Sequence, residues 1–491
     1  MEFLVYVLLG SVFLFYLLVR PFLQPRKLLP PSPRGLPFIG HLHLLGRQPH
    51  ISLQELSNKF GDIVCLRLGL VPAILISSSA AAREALKTHD QTFSGRPYFL
   101  LGDYVYSSKS MVLSPPNEHW RRMKKLFNAE LFTANRLASF LEVRREELAS
   151  MVSFLIDNQS RVVNVRELVR SYTFNTITRI VMSKRFFGEK NTVNEEEAME
   201  FMEVMEEIIK FGFAFHISEL VPAWLRWIDW KIPAVKRIAA REDIVIQKIL
   251  DEHRKTKSSR GTKDFLDILL EHDTKGDGGG NDLDNARGTI MELVGAGTYT
   301  TACVIEWAIL ELLRNPDVLE KAQHELESIV GQTNRLVEES DIEHLTYLQA
   351  IVKETFRLHP PAPLLLRMST QECVISNYHI PKGANTFVNV YAIGRDPGLW
   401  ENPMEFWPER FVGSSMDVRG QDFELIPFGA GRRTCAGLTL GLKVVQVGLA
   451  NLLHGFDWSC VAGRDYNVAE SSVSVIWPKK PLEAIVILKS R

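Results

Sequence analysis

Cysteine is scarce in this sequence of 491 residues, which contains only five, at positions 65, 303, 373, 435 and 460. Their number is odd, they are scattered, and no two of them have the two-residue separation of a redox or zinc motif. The sequence therefore predicts neither a disulfide framework nor a zinc cluster, and it indicates a reducing, cytosolic environment for the main domain.

Two further shortages narrow the function. The formal net charge is −1, without the basic excess that favours nucleic acid, so DNA and RNA are not expected partners. A fingerprint for a flavin or nicotinamide dinucleotide is also missing, because the glycines around Ala430 lack a preceding strand at the required spacing. Redox chemistry on this chain would therefore need electrons from another protein.

One long apolar run is present, from Phe3 to Val19, and Arg20, Arg26 and Lys27 follow it. Its length is near the lower limit for a membrane-spanning helix. A cleaved signal peptide is the alternative, but no small-residue cleavage site follows, and the positive charge comes after the run. We therefore predict an uncleaved anchor at residues 1–20, with the rest of the chain on the cytosolic side.

Residues 21–40 are dense in proline, which excludes a helix and predicts a stiff, extended hinge, with an ordinary linker as the alternative. The remaining residues, 41–491, contain one glycine-rich gap, Thr274 to Asn281, which reads as a flexible surface loop. No other linker divides them, so they are predicted to form a single catalytic domain.

A lone cysteine stands in a glycine-rich loop, Pro427 to Gly437, just before an apolar stretch with helical periodicity. Backbone N–H groups at a helix N-terminus stabilise a thiolate, and glycines allow the close approach of a flat, rigid group. A haem fits this pattern, with Cys435 on the iron, Phe428 near the ring and Arg433 on a propionate. The alternative is a buried structural cysteine in front of a core helix.

The complete pattern Phe-x-x-Gly-x-Arg-x-Cys-x-Gly, at residues 428–437, resembles the haem-thiolate monooxygenases of the cytochrome P450 family. The resemblance extends from Pro30 to the C-terminus. It implies a mostly α-helical fold with small β-sheets (α+β), and haem b between a long central helix and the cysteine loop. It also implies an endoplasmic reticulum membrane location and electrons from NADPH through a membrane-bound NADPH–cytochrome P450 reductase.

The resemblance assigns further residues to the haem and the substrate. Trp120 and Lys124 share a helix face and are expected at the haem propionates, although the family usually has arginine where Lys124 stands. Arg367 is expected at a propionate as well. The residues expected to line the substrate pocket are Ala296, Pro363, Leu365 and Leu366.

The central helix is predicted from Ile290 to Leu313, with a small and hydroxyl-rich stretch at residues 295–301. Small residues there are expected to leave room for dioxygen, and the Thr300 hydroxyl is expected to bond the carbonyl four residues back and open a kink. The resemblance implies that Thr300 helps deliver protons. Tyr299 stands where the family has an acid, and a phenol with an ordinary pKa near 10 shuttles protons less well.

Three charged residues are expected to form a buried structural triad rather than a catalytic group. Glu354 and Arg357 lie three residues apart and can pair on one helix face. With Arg410 they resemble the Glu-Arg-Arg triad of the family, in which the loss of one partner would leave an uncompensated buried charge.

Elsewhere the pattern predicts strands at Ile63 to Leu68 and Ala73 to Ile76, and helix throughout from Asn135 to Lys257. The aromatic stretch Phe211 to Trp230 has two equal interpretations. It forms either an exposed roof of the substrate channel that dips into lipid, or part of the core.

Within the family, the stretches Asp417–Gln421, Val444–Gln446 and Arg395–Pro397 resemble the plant microsomal group that modifies flavonoids, isoflavonoids and triterpenes and includes the flavone synthases. The implied reaction is oxidation of a flavonoid-type phenolic, by desaturation of a flavanone or by hydroxylation. A hydroxylase of triterpenoid or other aliphatic skeletons is the alternative, since Leu364 to Leu366 would suit one. A reductase-independent haem-thiolate isomerase or dehydratase is a second, favoured by Tyr299 and disfavoured by Thr300.

Overall fold

A computed structural model describes residues 28–489, except for 107–109, 189–192, 213–215, 257–262, 275–281, 332–334 and 472–474. Helices dominate, and three small sheets accompany them, so the predicted α+β class is confirmed. The predicted anchor at residues 1–20 lies outside the described residues.

The helices are named in chain order. They are α1 Pro49–Phe60, α2 Ser79–Arg83, α3 Leu100–Tyr104, α4 Glu118–Glu130, α5 Ala134–Ser139, α6 Leu141–Asp157, α7 Val165–Met182, α8 Glu195–Gly212, α9 Ile232–Thr256, α10 Phe265–Thr274, α11 Asp282–Arg314, α12 Pro316–Val330, α13 Thr346–Leu358, α14 Val390–Ile393 and α15 Leu438–Gly455.

The strands are short. They are β1 Ile63–Leu68, β2 Val71–Ile76, β3 Val162–Asn164, β4 Leu364–Met368, β5 Cys373–Ile375, β6 Tyr378–Ile380, β7 Asn385–Asn389, β8 Phe456–Cys460 and β9 Glu483–Leu488. One sheet has the order β1-β2-β7-β4, in which only the β2–β7 pair is parallel. The others have the orders β3-β9-β8 and β5-β6, both antiparallel.

The central helix α11 packs along α7 in the main core. The Thr173 hydroxyl of α7 donates to the carbonyl of Thr298, and Arg166 pairs with the fully buried Glu306 at 2.8 Å. By length and composition α11 is the one helix among the described residues that could cross a membrane, but 72% of its most apolar window is buried in the protein. It is therefore a core helix, and it forms one wall of the candidate active site.

Helix starts follow ordinary capping chemistry. The Asn117 side chain accepts a hydrogen bond from the backbone N–H of Trp120 at 2.8 Å and caps α4. The helix therefore begins at Glu118, two residues before Trp120, where the sequence predicted its start. Asn164 caps α7 in the same way through the N–H of Glu167.

The prediction of helix throughout residues 135–257 is wrong. The structure inserts strand β3 between α6 and α7, and a stretch of 3-10 turns at Ile217–Glu219 and Ala223–Ile228 between α8 and α9. Amphipathic periodicity did not reveal these breaks, because β3 is a three-residue strand that exists only through pairing with β9, far along the chain.

The three tryptophans of the aromatic stretch are exposed. Trp224, Trp227 and Trp230 are 72%, 76% and 72% exposed, so the core interpretation is wrong for these three tryptophans. The proline-rich hinge reaches the same region, because the N–H of Gly69 donates to the Ile39 carbonyl and the N–H of Leu70 donates to the Leu220 carbonyl.

Candidate active site

Cys435 lies between a 3-10 turn, Gly431–Arg433, and the first turn of α15. Its backbone N–H donates to the Phe428 carbonyl at 2.9 Å, which closes the loop beneath the thiol. The side chain is exposed, yet desolvation by the surrounding protein raises the pKa of the thiol, against a weaker opposing hydrogen bond from the Gly437 backbone. Because the thiol is both accessible and desolvated, we infer that it borders an internal void.

The glycines of this loop allow close approach of other backbone segments as well as of any bound group. Gly431 has φ +70°, and an added Cβ would lie 2.1 Å from the carbonyl oxygen of Leu86. The close approach that this glycine permits is therefore to the segment Glu84–Thr88, and not to a flat group as the sequence suggested.

The other wall of the void belongs to α11. Ala296 is exposed although it lies in the middle of this core helix, and the Thr300 hydroxyl donates to the Ala296 carbonyl at 2.6 Å, as predicted. The helix nevertheless runs as one element from Asp282 to Arg314. Helix α15 lies alongside, since an added Cβ at Gly441 would be 3.9 Å from the Thr301 hydroxyl.

The expectation that small residues of α11 leave room for dioxygen is wrong for two glycines. An added Cβ would lie 2.9 Å from Ile177 at Gly297 and 3.0 Å from Met205 at Gly295. These positions let α7 and α8 approach α11 closely, while Ala296 alone in the Gly-Ala-Gly stretch is exposed.

Tyr299 does not share the open face of Thr300. It is 6% exposed and lies near Arg170 and Glu206 of α7 and α8, and its hydroxyl has no hydrogen-bond partner among the described residues. Burial raises the pKa of this phenol further above its ordinary value, and the nearby arginine only partly offsets it. A proton-delivering role for Tyr299 stays a prediction, and its position gives that role no support.

Three arginines, two of them buried and one partly buried, converge beside the cysteine loop. Arg433 donates to the carbonyls of Ser94, Met111 and Ser114 at 2.8, 3.2 and 2.6 Å, and its guanidinium lies 4.2 Å from the centre of the Trp120 ring. Burial lowers the pKa of Arg433 to about 9, and the positive charge of Arg96 adds to this effect.

Arg367 and Arg96 complete this cluster. Burial, together with the positive charges of Arg96 and Arg433, lowers the pKa of Arg367 well below its usual range. Glu292 is the carboxylate whose charge acts on Arg96 and Arg433. It accepts hydrogen bonds from the Ser110 hydroxyl and from the N–H groups of Met111 and Val112.

The cluster is therefore short of negative charge. Arg96, Arg367 and Arg433 are three cations, and the carboxylate that acts on them is Glu292, whose pKa burial raises, so at least two cations stay uncompensated within the described residues. Buried unpaired charge is costly, so an external dianion is expected beside Cys435. A haem carries two propionates and an iron that binds thiolate, so the residues present fit this group.

The family model for cytochrome P450 matches residues 30–486 of the chain. This chain belongs to the cytochrome P450 family. Haem and electrons from a reductase are the cofactor and redox supply that the family implies, and both agree with the charge balance of the site and with the missing dinucleotide fingerprint.

Curated relatives cover the chain almost completely. A flavonoid 3'-monooxygenase from Crocosmia x crocosmiiflora is 40% identical over 468 residues, 93% of this chain and 91% of that protein. A flavonoid 3'-monooxygenase from Petunia hybrida is 38% identical over 479 residues, 94% and 93% of the two chains. Cytochrome P450 71A1 from Persea americana is 39% identical over 462 residues, 91% of each.

The fold agrees with a solved relative. A zebrafish cytochrome P450 determined with abiraterone superposes with a TM-score of 0.75 at 25% identity, and the match covers 90% of this chain and 100% of the other.

In this P450 two further predicted haem residues, Lys124 and Phe428, also contact the protein. The Lys124 ammonium donates to the Arg432 carbonyl at 2.6 Å and lies 5.1 Å from the centre of the Trp120 ring. The Phe428 ring packs edge-on against Phe356, with 5.0 Å between centroids. Lys124 therefore braces the cysteine loop from outside, and its role at a propionate stays a prediction.

The pocket residues of β4 fall on two faces of the strand. Leu365 and Arg367 point together toward the loop, where an added Cβ at Gly429 would lie 3.6 and 3.4 Å from them. Leu366 lies on the opposite face, and only its carbonyl takes part in the cluster, as acceptor for Arg96 and Arg367. The structure thus brings Leu365, and not the Leu366 side chain, to the cysteine loop, beside the buried Pro363.

The predicted triad is assembled at α13. Glu354 accepts from Arg357 at 2.6 and 2.7 Å and from Arg410 at 3.1 Å, and the side chains of Glu354 and Arg357 are completely buried. Arg357 also donates to three carbonyls, those of Gly394, Pro403 and Glu405. The triad lies outside the void, which agrees with a structural role.

Sequence reasoning missed Arg96 and Glu292. A signal was available for Glu292, because residues 292, 296 and 300 recur at a spacing of four and share a helix face. Arg96 could not be found in this way, because its partners at Val112 and Leu366 depend on the tertiary fold.

Proposed function

We propose that this P450 hydroxylates a flavonoid-type phenolic. One oxygen atom of O2 enters a C–H bond of the substrate, and the other leaves as water with two electrons and two protons. The electrons come from NADPH through NADPH–cytochrome P450 reductase. The observation that carries the substrate class is the set of flavonoid hydroxylases among relatives at 38–40% identity over more than 90% of the chain.

The haem supplies oxygen activation, and the protein supplies its placement. Cys435 would bind the iron, and its backbone N–H is held by the Phe428 carbonyl. Arg96, Arg367 and Arg433 would hold the propionates, and the ring of Trp120 packs over Arg433. A bound haem would thereby remove the charge imbalance of the arginine cluster.

Thr300 is the group on α11 that serves protons to the reacting oxygen. Its hydroxyl has one fixed partner, the Ala296 carbonyl, so its own oxygen stays available as an acceptor toward the void. Tyr299 is buried against α7 and α8, which gives it no support as a member of this relay. In the proposed mechanism, water carries the protons where the family has an acid.

The substrate lies against an apolar wall. Ala296 of α11 and Leu365 of β4 flank the void, and Pro363 is buried two residues before Leu365. A flat phenolic skeleton buries its rings well against such a surface, and the few polar groups orient it.

The membrane is a proposed partner through a defined surface. The exposed tryptophans at positions 224, 227 and 230 continue through Leu70 to Phe38 of the hinge, which is 82% exposed. Tryptophan prefers the lipid–water interface. With an anchor at residues 1–20, this surface would place the domain on the cytosolic face of the endoplasmic reticulum.

The reductase is proposed to dock on the side of the cysteine loop. Arg121, Arg122 and Lys125 are exposed on α4, and Arg432 is exposed in the loop itself. This basic surface suits an acidic redox partner and lies next to the iron ligand.

The test uses the full chain in microsomes with reductase and NADPH, and a panel of flavanones, flavones, isoflavones and triterpenes read by mass spectrometry. Gain of one oxygen on a flavonoid supports the proposal, and loss of two hydrogens identifies desaturation instead. Oxidation of triterpenes alone would overturn the substrate class, and turnover without reductase would overturn the monooxygenase reaction. Cys435→Ser is the inactive control.

A further inference from the structure

One face of α11 passes from the void into the packed core. Ala296, Thr300, Cys303 and Trp307 recur at spacings of four, three and four residues, which places them on the same face of a helix. Ala296 is exposed and Thr300 is partly exposed, whereas Cys303 and Trp307 are completely buried. Three residues correspond to about 4.5 Å along a helix, so the void ends within one turn beyond Thr300.

The backbone of Ile476 covers this face where the void ends. Its carbonyl accepts from the Cys303 thiol at 3.1 Å and from the Trp307 indole N–H at 2.6 Å. A carbonyl oxygen has two lone pairs, so these two donors use its whole accepting capacity. Ile476 is completely buried at the centre of a tight turn, residues 475–477, which the Trp477 N–H closes on the Val475 carbonyl at 3.1 Å.

The two donors differ in strength. Burial, together with the negative charge of Glu306, raises the pKa of the Cys303 thiol well above its ordinary value. The thiol therefore keeps its proton and serves as a donor, although an S–H donates weakly. The Trp307 indole supplies the stronger of the two bonds.

The orientation of the Trp307 indole is fixed from its other side. The ring stacks on His359 with 3.8 Å between centroids and an interplanar angle of 3°, and His359 Nε2 lies 2.7 Å from Glu311, one turn further along α11. The Ile476 N–H donates to the carbonyl of Pro361, two residues beyond His359, at 3.2 Å. These contacts form a closed ring that runs from α11 through the end of α13 to the turn and back to α11.

This ring of contacts joins the two walls of the void. Helix α11 contributes Thr300, and the segment that begins at Pro361 leads into β4, which contributes Leu365. The turn at residues 475–477 is bonded to both. A displacement of the turn along α11 would therefore change the length of the void although no residue of either wall had been replaced.

We propose that Cys303 and Trp307 are positioning residues for the substrate. Through the Ile476 carbonyl they fix the turn at residues 475–477 as the end wall of the void, and this wall sets how long a skeleton can lie beside Thr300. That the skeleton is a flavonoid rests on the function proposed above, whereas the position of the wall does not.

The experiment compares a short and a long haem ligand, imidazole and 4-phenylimidazole, titrated into the full-length holoenzyme and followed by the Soret band. The double variant Cys303→Ala/Trp307→Phe removes both donors and keeps an aromatic ring against His359. We expect 4-phenylimidazole to bind about fivefold more weakly, the effect of a typical hydrogen bond, because its phenyl ring loses a fixed wall. Imidazole should bind as in the parent. Equal weakening of both ligands would place the defect at the haem and overturn the proposal, and so would unchanged binding of both.

Two single variants separate the donor from the size of the side chain. Cys303→Ser keeps a donor of similar size and should keep the parent's preference between the two ligands. Cys303→Ala should weaken 4-phenylimidazole by a smaller factor than the double variant does. This pair of variants carries the test if the double variant does not retain haem, and an unchanged preference in Cys303→Ala would overturn the role of Cys303.

A matched control loses the same kind of bond elsewhere in the core. The Trp458 indole of β8 donates to the Leu452 carbonyl of α15 at 2.7 Å, and Trp458 is buried as well. Trp458→Phe should lower the melting temperature about as much as Trp307→Phe and leave the preference between the two ligands unchanged. A similar change of preference in Trp458→Phe would indicate general loosening and overturn the proposal.

The products give a second measure. With flavonoid substrates, the double variant should change the distribution of hydroxylated positions, and an unchanged distribution would contradict a role in substrate positioning. A parent enzyme that oxidises no flavonoid would contradict the proposed function instead, and the comparison of imidazole with 4-phenylimidazole would still decide whether the two donors fix the wall.

Discussion

Two of the arginine groups among the described residues differ in how their charge is balanced. Arg357 and Arg410 share Glu354, and the remaining donors of Arg357 end on backbone carbonyls. Among the described residues, one carboxylate acts on the cluster of Arg96, Arg367 and Arg433. The first group is complete within the protein, and the second becomes complete only with a bound dianion.

The difference separates stability from function. A complete group holds segments together, and removing one member exposes the others to an uncompensated charge. An incomplete group weakens the empty protein and strengthens the loaded one, since the ligand supplies the missing charge. The arginines therefore identify both the structural centre and the cofactor site without reference to the cysteine.

The largest effect is expected for Glu354→Gln. This change leaves Arg357 buried without its carboxylate, and the free energy of unfolding should fall by about 3–5 kcal/mol. Denaturant unfolding of the full-length enzyme measures it. The matched control is Glu338→Gln, whose partner Arg145 is 56% exposed and whose loss should cost less than about 1 kcal/mol. Equal losses in the two variants would show that the triad is no stronger than a surface pair.

Arg367→Gln should act in opposite directions on the two forms of the enzyme. Without haem the variant should be more stable than the parent, because one uncompensated cation is gone. With haem it should lose a charge-assisted bond worth about 1.5–3 kcal/mol, a tenfold or greater loss in haem retention. Haem transfer to an acceptor protein and unfolding of the apoprotein measure both signs. A destabilised apoprotein would contradict the charge imbalance.

Thr300→Ala should change chemistry with little change in stability. The hydroxyl faces the void and has one bond to a helix carbonyl, so the free energy of unfolding should move by less than about 0.5 kcal/mol. NADPH consumed per product formed should rise several-fold, because a proton-delivering group is lost. Thr300→Ser, which keeps the hydroxyl, should restore coupling; unchanged coupling in Thr300→Ala would assign proton delivery to another group.

The smallest effect is expected at Glu219, which is the converse of the arginine cluster. It is a carboxyl with little positive charge nearby to compensate its own charge. Burial raises its pKa to about 8, and the Leu100 N–H that it accepts and the charge of Lys231 only partly offset this. The folded state therefore holds a proton that the unfolded state has lost, so the free energy of unfolding falls as pH rises from the ordinary carboxyl range to about 8. Glu219→Gln should remove that dependence, as measured by denaturant titration at several pH values. A parallel pH profile in the variant would contradict this.

Local spacing accounts for what the sequence could predict. The Glu354–Arg357 pair and the Thr300–Ala296 bond connect residues three and four apart in one helix, and Cys435 was recognisable from its loop. These interactions are determined within one turn of backbone.

Interactions between distant segments could not be predicted. Arg96 meets Leu366 across 270 positions of the chain, and Tyr299 could not be assigned to the α7 and α8 side of the helix from its neighbours in sequence. The glycines of α11 were misinterpreted for the same reason, because the atoms that demand their smallness belong to Ile177 and Met205. The reason for a small side chain in a helix lies in the surface that packs against it, which the sequence of the helix alone does not show.

Gly297 has a consequence for substrate choice. Its missing side chain lets Ile177 of α7 approach closely, since an added Cβ would lie 2.9 Å from the Ile177 side chain. A methyl at this point would require either the Ile177 side chain or the backbone of α11 to shift. If the backbone shifts, Ala296 and Thr300 move with it, and selectivity changes although no residue that faces the void has been replaced.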